Sequence, residues 1–390
     1  MNKKTLLLGA GASADAGIPT ADQFMQRVED HSSLVWDEEV TRTIEVALGG
    51  LRFTRPWGKV DVEALYQVLL DLNDRSKHPL APFVGAWHQR VTDAERVDVT
   101  HSVNAMVDGL LSDLRGAVDS SSRARRVHLS DLGEFRRTAK IAAEAAAGGS
   151  NNFYLAALRV LALVQQYCWI EPGNAEKVDY LQPLFSAAPL WIGSLNYDNT
   201  VETAARTAGK AIDRGFQEDA RTVRFNPESE IVLAKLHGSL DLAIRENGQI
   251  SVTDSPQKKA LPALIFGSGN KLRIAGPYLD LLLEFRNQLE QTEDLYVCGY
   301  SFRDTHINYT IYRWLEGGTS RRVCVSDAFM KSDDMSHNFA STIIEAEDEL
   351  IKPIVRDRRA RRQVGGDWWQ KKFAVERKDA KGFFKDLANK

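Results

Sequence analysis

Apolar positions along the chain predict short buried strands that alternate with helices. Six apolar runs, each followed by small or polar residues, are typical of strands in a covered sheet; they lie at 6–8, 189–192, 231–236, 261–266, 295–298 and 322–325. Spacings of three and four residues predict helices from 22 to about 72 and at 153–167, 200–208 and 278–289. Strands that alternate with helices form a parallel sheet covered on both faces, so the predicted fold class is α/β.

Two long segments lack the strand pattern. Between about 73 and 186 only helical periodicity occurs, which predicts a large helical insertion. From 329 the spacing is again helical, which predicts a helical C-terminal appendage. The predicted domains are therefore 1–328, which includes the insertion, and 329–390.

Polar residues cluster where four of the predicted strands end. The clusters are Ser194 to Asp198, His237 to Ser239, Gly299 to Phe302, and Ser326 with Asp327. Open α/β sheets bind ligands beyond the carboxyl ends of their strands. We therefore expect these four clusters to converge on one site.

The first strand is followed by a glycine-rich turn. Gly9 and Gly11 have no Cβ, so the backbone can turn sharply and its amides can approach an anion. The small residues 12–16 begin a short helix, which Gly17 can cap and Pro19 ends. This arrangement suits a phosphate group, although plain strand-to-helix turns also use glycine.

Charge and cysteine content exclude several classes of protein. The 390 residues carry 50 basic and 53 acidic side chains, so a chain-wide nucleic-acid surface is not expected. Three distant cysteines without a C-x-x-C indicate neither a disulfide framework nor a cysteine zinc site, so we expect no metal and a cytoplasmic location. No apolar stretch reaches the length of about 20 residues that spans a membrane.

Two basic stretches leave alternatives open. Arginines cluster at 123–137, and the basic run 356–362 precedes an aromatic pair, Trp368 and Trp369. The arginine cluster is a solvated helix face or a contact with nucleic acid or a partner. The tail stretch either contacts nucleic acid or packs its tryptophans on the body of the protein or on a neighbouring subunit.

The motifs resemble those of the sirtuins. The run 9–19 matches the opening signature Gly-Ala-Gly-x-Ser-x-x-x-Gly-Ile-Pro, and Asn196 with Asp198, then His237-Gly238, follow in the family's order. The stretch 299–308 is similar to the bacterial defence-type branch, and its Asp304 and His306 are expected to be structural. The resemblance implies a Rossmann-like sheet that binds NAD as a substrate through Gly9, Ala10, Gly11, Ser13, Gly17, Ile18, Pro19, Gly299, Ser301 and Asp327.

The resemblance also implies three catalytic roles. Asn196 would orient the nicotinamide ribose and a water, Asp198 would help to hold the carboxamide, and His237 would be the base. Cleavage of the bond to nicotinamide passes through an oxocarbenium-like species, which needs such dipoles and a base that titrates near neutrality. The alternatives are that Asp198 or Asn199 caps the next helix and that His237 is a structural histidine.

Departures from the deacylase pattern shape the functional hypothesis. The family's four zinc-binding cysteines are absent, and residues 20–22 read Thr-Ala-Asp where deacylases carry Asp-Phe-Arg. The missing Phe-Arg pair concerns the nicotinamide pocket. The missing zinc module, which helps to frame the acyl-peptide cleft in the family, favours water over an acyl-lysine as nucleophile, so the expected activity is that of an NAD glycohydrolase (NADase). Alternatives are a deacylase, an ADP-ribosyl transferase and a non-catalytic NAD or ADP-ribose sensor.

The defence-type resemblance carries further expectations. It implies an antiphage effector that depletes NAD, a homo-oligomer and, for the HerA-associated kind, a separately encoded HerA-type ATPase as partner. The helical insertion and the tail are the candidate contact surfaces.

Overall fold

The computed structural model describes residues 3–34, 38–54, 60–74, 152–216, 222–244, 250–253, 256, 262–264, 277–329 and 372–389. The chain divides into two compact units. The first unit combines Met1–Ala21 with Gln165–Lys390, and the second is Asp22–Val164.

A six-stranded parallel sheet forms the centre of the first unit. Its strands are β1 (Lys4–Leu8), β2 (Leu190–Ser194), β3 (Ile231–Lys235), β7 (Asp294–Cys298), β8 (Arg322–Ser326) and β9 (Phe373–Glu376). The intervening strands β4 (Gly238–Ile244), β5 (Ile250–Val252) and β6 (Pro262–Leu264) form a separate sheet. Their order is β3-β2-β1-β7-β8-β9. The chain therefore moves outward from β1 on one side and then on the other, which puts a topological switch point beside β1.

Alternating side chains of the sheet enter two separate cores. Leu6 and Leu8 of β1 point into one core, and Leu7 points into the other. Because both faces are covered, the strands are apolar at consecutive positions, as the sequence predicted. The fold class is thus confirmed as an α/β fold with a Rossmann-type parallel sheet.

Helices supply the other half of each core. The described α-helices are α1 (Ala21–Leu34), α2 (Glu38–Thr54), α3 (Val62–Asn73), α4 (Asn152–Cys168), α5 (Gln182–Ser186), α6 (Thr200–Thr207), α7 (Pro277–Glu290), α8 (Thr305–Glu316) and α9 (Ala380–Ala388). The core around Leu6 also contains side chains of the 3₁₀ segments Ala10–Ala16 and Pro172–Leu181 and of α5, α6 and α9. The core around Leu7 contains side chains of α7 and α8.

One predicted strand belongs to a different sheet. The run 261–266 was expected in the parallel sheet, but the strand found there, β6 (Pro262–Leu264), pairs antiparallel with β4 (Gly238–Ile244). A third strand, β5 (Ile250–Val252), completes this small sheet in the order β5-β4-β6. The expectation was wrong because an apolar run identifies a strand but does not identify its neighbour.

The second unit is helical in its described part. It contains α1, α2, α3 and most of α4, which confirms the helical periodicity predicted from 22 to 72 and at 153–167. Asp61 begins α3 by accepting a hydrogen bond from the Ala64 amide at 2.8 Å. The arginines at 123–137 lie outside the described residues.

The described part of the tail is not purely helical. Strand β9 pairs in parallel with β8, so residues 373–376 extend the main sheet. Helix α9 buries Phe384 completely in the core around Leu6. The expected helical appendage is corrected here, because short edge strands give little periodic signal. The basic run 356–362 and the pair Trp368-Trp369 lie outside the described residues.

None of the described helices is by itself long and apolar enough to cross a membrane. The bent pair Asn152–Cys168 and Pro172–Ser186 passes that test by length and composition when the two are taken together.

Candidate active site at the carboxyl edge of the sheet

Five strand ends lie side by side at one edge of the sheet. The last residues of the strands are paired in register across it: Lys235 with Ser194, Ser194 with Leu8, Leu8 with Cys298, and Cys298 with Ser326. Each sequence-predicted polar cluster follows one of these strands within two residues. The parallel sheet therefore brings to one edge the glycine turn, which starts at Gly9, and the four polar clusters, the last of which ends at Asp327.

The glycine turn leads into a short 3₁₀ helix, as the sequence predicted. The helix spans Ala10–Ala16 and ends at Gly17, whose φ of 78° is in the left-handed region that glycine tolerates. The Tyr180 hydroxyl donates a hydrogen bond to the Ala12 carbonyl at 2.7 Å. Burial, with the charges of Asp198 and Asp15, raises the pKa of Tyr180, so this tyrosine remains a protonated donor.

The loop glycines pack against a third glycine. The amides of Gly9 and Gly11 donate to the carbonyls of Cys298 and Gly299, both at 2.9 Å. A Cβ on Gly11 would lie 2.8 Å from the Gly299 Cα, and a Cβ on Gly299 would lie 2.1 Å from the Ala12 amide nitrogen. In this structure the glycines thus permit close contact between two loops, and the amides of Gly9 and Gly11 already have protein acceptors.

Asn196 lies directly against the glycine loop. Its side-chain Nδ2 donates to the Gly9 carbonyl at 2.9 Å and to the Ser13 hydroxyl at 3.0 Å. A carbonyl oxygen can only accept, so the Gly9 contact fixes which end of the amide is the donor. Both Nδ2 protons are used within the protein, and Oδ1 is the end of the amide that can serve a ligand.

Asp198 caps the helix that follows it. Its Oδ1 accepts from the Thr200 amide at 3.0 Å and from the Thr200 hydroxyl at 2.6 Å, which is the helix-capping alternative raised from the sequence. The carbonyl of Asp198 accepts a hydrogen bond from the buried ammonium of Lys235. Asn199, the other capping candidate, instead pairs with the backbone of Ile170 at 2.8 and 2.9 Å.

A buried group of charges lies beneath this loop. Glu202 Oε1 is 3.7 Å from the Lys235 ammonium and 3.5 Å from the Arg214 guanidinium, which also binds the Asp241 carboxylate at 2.5 and 3.0 Å. Burial raises the pKa of Glu202 against the opposing effect of both cations. Burial would also raise the pKa of Asp241, but the adjacent Arg214 outweighs it and lowers that pKa.

His237 follows β3 in a tight turn and is 2 % exposed. Gly238 continues the turn with a φ of 83°. The His237 Nε2 lies 3.3 Å from the Nε2 of His306, at the start of α8. The carboxylate of Asp304 lies within 4.8 Å of both nitrogens. His306 and Asp304, which were expected to be structural, thus face the predicted base.

The loop that carries Asp304 is fixed by buried hydrogen bonds. The Tyr300 hydroxyl donates to Asn308 Oδ1 at 2.8 Å, and Asn308 Nδ2 donates to the Phe302 carbonyl at 2.7 Å. Phe302 has a φ of 55°, an uncommon conformation for a bulky residue. Burial and the charge of Asp304 raise the pKa of Tyr300, which keeps this hydroxyl protonated.

The remaining predicted residues lie near the glycine loop and after strands β7 and β8. Ile18 and Pro19 are buried after the 3₁₀ helix, Ala10 is exposed, and Ser301 is half-buried. Asp327 follows β8 and accepts from the Phe329 amide at 2.8 Å. It was expected at the end of the last strand, but β9 continues the sheet beyond β8.

Sequence reasoning missed several residues that shape the site. Tyr180 supports the glycine loop, Lys235 holds the loop of Asp198, and His306 faces His237. Lys235 lies within the predicted strand 231–236, and a lysine in an otherwise apolar strand was an available signal. Tyr180 and His306 gave none, because their partners lie 168 and 69 residues away.

Part of the chain matches a known protein family. Residues 192–354 match the family model of the SIR2-like domain. No curated protein matches the chain.

Three solved structures are also similar. A Sir2 homologue in complex with NAD is 12 % identical with a TM-score of 0.38, and the match covers 99 % of this chain and 88 % of that one. A structure from work on the mechanism and regulation of Sir2 enzymes is 11 % identical, with a TM-score of 0.30 and coverages of 53 % and 66 %. A mutant Sir2 homologue in complex with 2′-O-acetyl ADP-ribose is 14 % identical, with a TM-score of 0.32 and coverages of 61 % and 75 %.

Proposed function

We propose that this chain, whose residues 192–354 match the SIR2-like domain, is a member of the sirtuin superfamily that binds NAD and hydrolyses it to nicotinamide and ADP-ribose. The observation that carries the proposal is the contact between Asn196 and the glycine loop, at 2.9 and 3.0 Å. It joins the predicted ribose-orienting residue to the predicted cofactor loop. His237 follows the neighbouring strand at the same edge.

The orientation of Asn196 assigns it a specific role in this reaction. With both Nδ2 protons bound to Gly9 and Ser13, its Oδ1 acts as an acceptor. We assign to Oδ1 a hydrogen bond from the nucleophilic water or from a hydroxyl of the nicotinamide ribose. Asp198, whose Oδ1 caps α6, contributes chiefly by shaping this loop.

His237 is assigned the role of general base. The oxygen of water forms a bond to C1′ of the ribose, the bond from C1′ to the nicotinamide nitrogen breaks, and His237 accepts the proton of the water. Nicotinamide leaves with the bonding electron pair, which neutralises its positive charge. A positioned acid-base group of this kind contributes about 10²–10⁴-fold to the rate.

The missing cysteines support water as the nucleophile. In the deacylases the zinc module helps to frame the acyl-peptide cleft, and this chain has three scattered cysteines, none of which forms a disulfide in the structure. Burial raises the pKa of Cys298, the cysteine at the end of β7, so its thiol is a poor nucleophile.

The biological part of the proposal follows the defence-type resemblance. We propose a cytoplasmic antiphage effector that depletes NAD and is restrained by assembly. The assembly is a homo-oligomer, joined in the HerA-associated kind by a separately encoded HerA-type ATPase. A mass measurement in solution that finds only active monomers would contradict this part.

The activity is tested by incubating purified protein with NAD and separating the products by chromatography. We expect equal amounts of nicotinamide and ADP-ribose. Addition of an acetylated lysine peptide or an acceptor protein tests the alternatives, since a deacylase would yield O-acetyl-ADP-ribose and a transferase would label the acceptor.

Two variants test the assigned roles. His237→Ala and Asn196→Ala should each lower turnover at least about 100-fold, whereas Asn174→Ala, at an exposed asparagine, should leave turnover unchanged. Asn196→Ala also removes two buried hydrogen bonds, so its stability must be measured beside its activity. Turnover that survives both substitutions would place the chemistry elsewhere, and NAD binding without turnover in the parent would favour the sensor.

A further inference from the structure

The two histidines at the site approach each other closely. The distance of 3.3 Å between His237 Nε2 and His306 Nε2 allows a hydrogen bond if one of the two nitrogens carries a proton. The same separation also matches a second geometry. Two nitrogens bound to one tetrahedral zinc ion at about 2.0–2.1 Å each lie about 3.3–3.4 Å apart.

A carboxylate completes the group. Asp304 offers an oxygen within 4.8 Å of both nitrogens, close enough to reach a common ion by a small side-chain rotation. Two imidazoles and one carboxylate are a ligand set that first-row transition ions accept, with open positions left for water. We propose that His237, His306 and Asp304 form a site for a divalent transition-metal ion of the zinc type.

The backbone around these ligands is held in place. Asp304 and His306 adjoin the bonded group of Tyr300, Asn308 and Phe302, and His237 lies in a turn between β3 and β4. Rigid supports of this kind limit the reorganisation that metal binding requires. We expected no metal because the cysteines of the sequence lack the spacing of zinc ligands. Spacing along the chain does not reveal His237 and His306, which are 69 residues apart in the sequence and lie together in the fold.

Occupation of this site has a consequence for catalysis. The metal binds the lone pair of His237 Nε2, and we assign to this nitrogen the proton transfer of the proposed hydrolysis. Bound metal therefore inhibits turnover, and this second part of the inference rests on the proposed function. Such inhibition would be reversible, because the three ligands can release the ion to a chelator.

Metal binding is tested directly and without NAD. The protein is stripped with a chelator and titrated with Co²⁺, whose visible absorption reports coordination, and with Zn²⁺ in competition. We expect one ion per chain at this site, with no competition from Mg²⁺, which prefers oxygen ligands.

Variants of the proposed ligands test whether Co²⁺ binds at this site. His306→Ala should weaken Co²⁺ binding at least about 100-fold, since even outer-shell partners of metal ligands contribute about 10–100-fold. Asp304→Asn should also weaken it, whereas Glu316→Gln, which removes a carboxylate two to three turns further along α8, should not. Equal Co²⁺ binding by the parent and His306→Ala would overturn the site.

The experiments can refute the metal site and the proposed function independently of each other. Co²⁺ binding that His306→Ala abolishes, in a protein that never cleaves NAD, would support the site and refute the hydrolase and the inhibition. Cleavage of NAD that Zn²⁺ does not slow, at concentrations that fill the site, would overturn the inhibitory role.

Discussion

Replacement of Phe384 by alanine tests whether the tail belongs to the core of the first unit. Phe384 lies in α9, is 0 % exposed, and packs with its ring centroid 6.4 Å from that of Tyr180. The sequence indicated a separate appendage at this point. If the tail were such an appendage, the substitution would change the stability of the rest of the chain very little.

The magnitude follows from the burial. An aromatic side chain removes about 150 Å² or more from water, which at about 25 cal/mol per Å² corresponds to about 4 kcal/mol. Measured Phe→Ala substitutions in cores cost about 3–5 kcal/mol, which includes the cavity that remains. We expect Phe384→Ala to lower the free energy of unfolding of the first unit by this amount.

The effect should extend to the glycine loop. Tyr180, which contacts Phe384, donates to the Ala12 carbonyl at 2.7 Å, and the Lys381 amide donates to Asp15 at 3.3 Å. A cavity beside Tyr180 frees that side chain to move away from the loop. In the proposed hydrolase we therefore expect the KM for NAD to rise as well.

Urea unfolding measures the change in stability. Phe329→Ala is the matched control, because Phe329 is 93 % exposed and should cost less than about 0.5 kcal/mol. For a unit of this size, about 3 kcal/mol also lowers the Tm by at least about 6 °C. A loss below about 1 kcal/mol, similar to that of the control, would refute the core position of α9.

Two further substitutions test the loops and the buried charges. Gly299→Ala would put a Cβ 2.1 Å from the Ala12 amide at a residue with φ of 64°, so we expect loss of NAD binding in a calorimetric titration. Gly173→Ala, with open space around the new Cβ, should bind NAD like the parent. Asp241→Asn would remove the nearer of the two carboxylates beside the buried Arg214 guanidinium, leaving Glu202 at 3.5 Å, and should cost about 3–5 kcal/mol near pH 7 by urea unfolding. Folding lowers the pKa of Asp241, so its contribution to the free energy of unfolding is fully present above its ordinary pKa of 3.8 and is lost as the pH falls through the lowered pKa of the folded state. If the free energies of unfolding of the parent and the variant changed in parallel with pH below pH 4, this reasoning would be contradicted.

Local signals in the sequence were sufficient for most elements of the fold. The apolar runs located the strands of the parallel sheet from β1 to β8, and the helical spacings located α1 to α4, α6 and α7. Such predictions succeed because burial on both faces of a sheet, or on one face of a helix, imposes a period on the chain itself. The sequence did not predict the tail strand β9, because a strand of four residues at the edge of a sheet imposes almost no periodic pattern of apolar positions.

The residue types of the candidate site were also evident in the sequence, since Gly9, Gly11, Asn196 and His237 each follow an apolar run. These residues and their positions after the strands could therefore be predicted. Three contacts became visible only in the folded chain: Gly299 fills the space beside the loop glycines, the amide of Asn196 faces Gly9, and His306 faces His237. These contacts join residues far apart in the chain, and their distances depend on the order in which the parallel strands assemble, which no local pattern encodes.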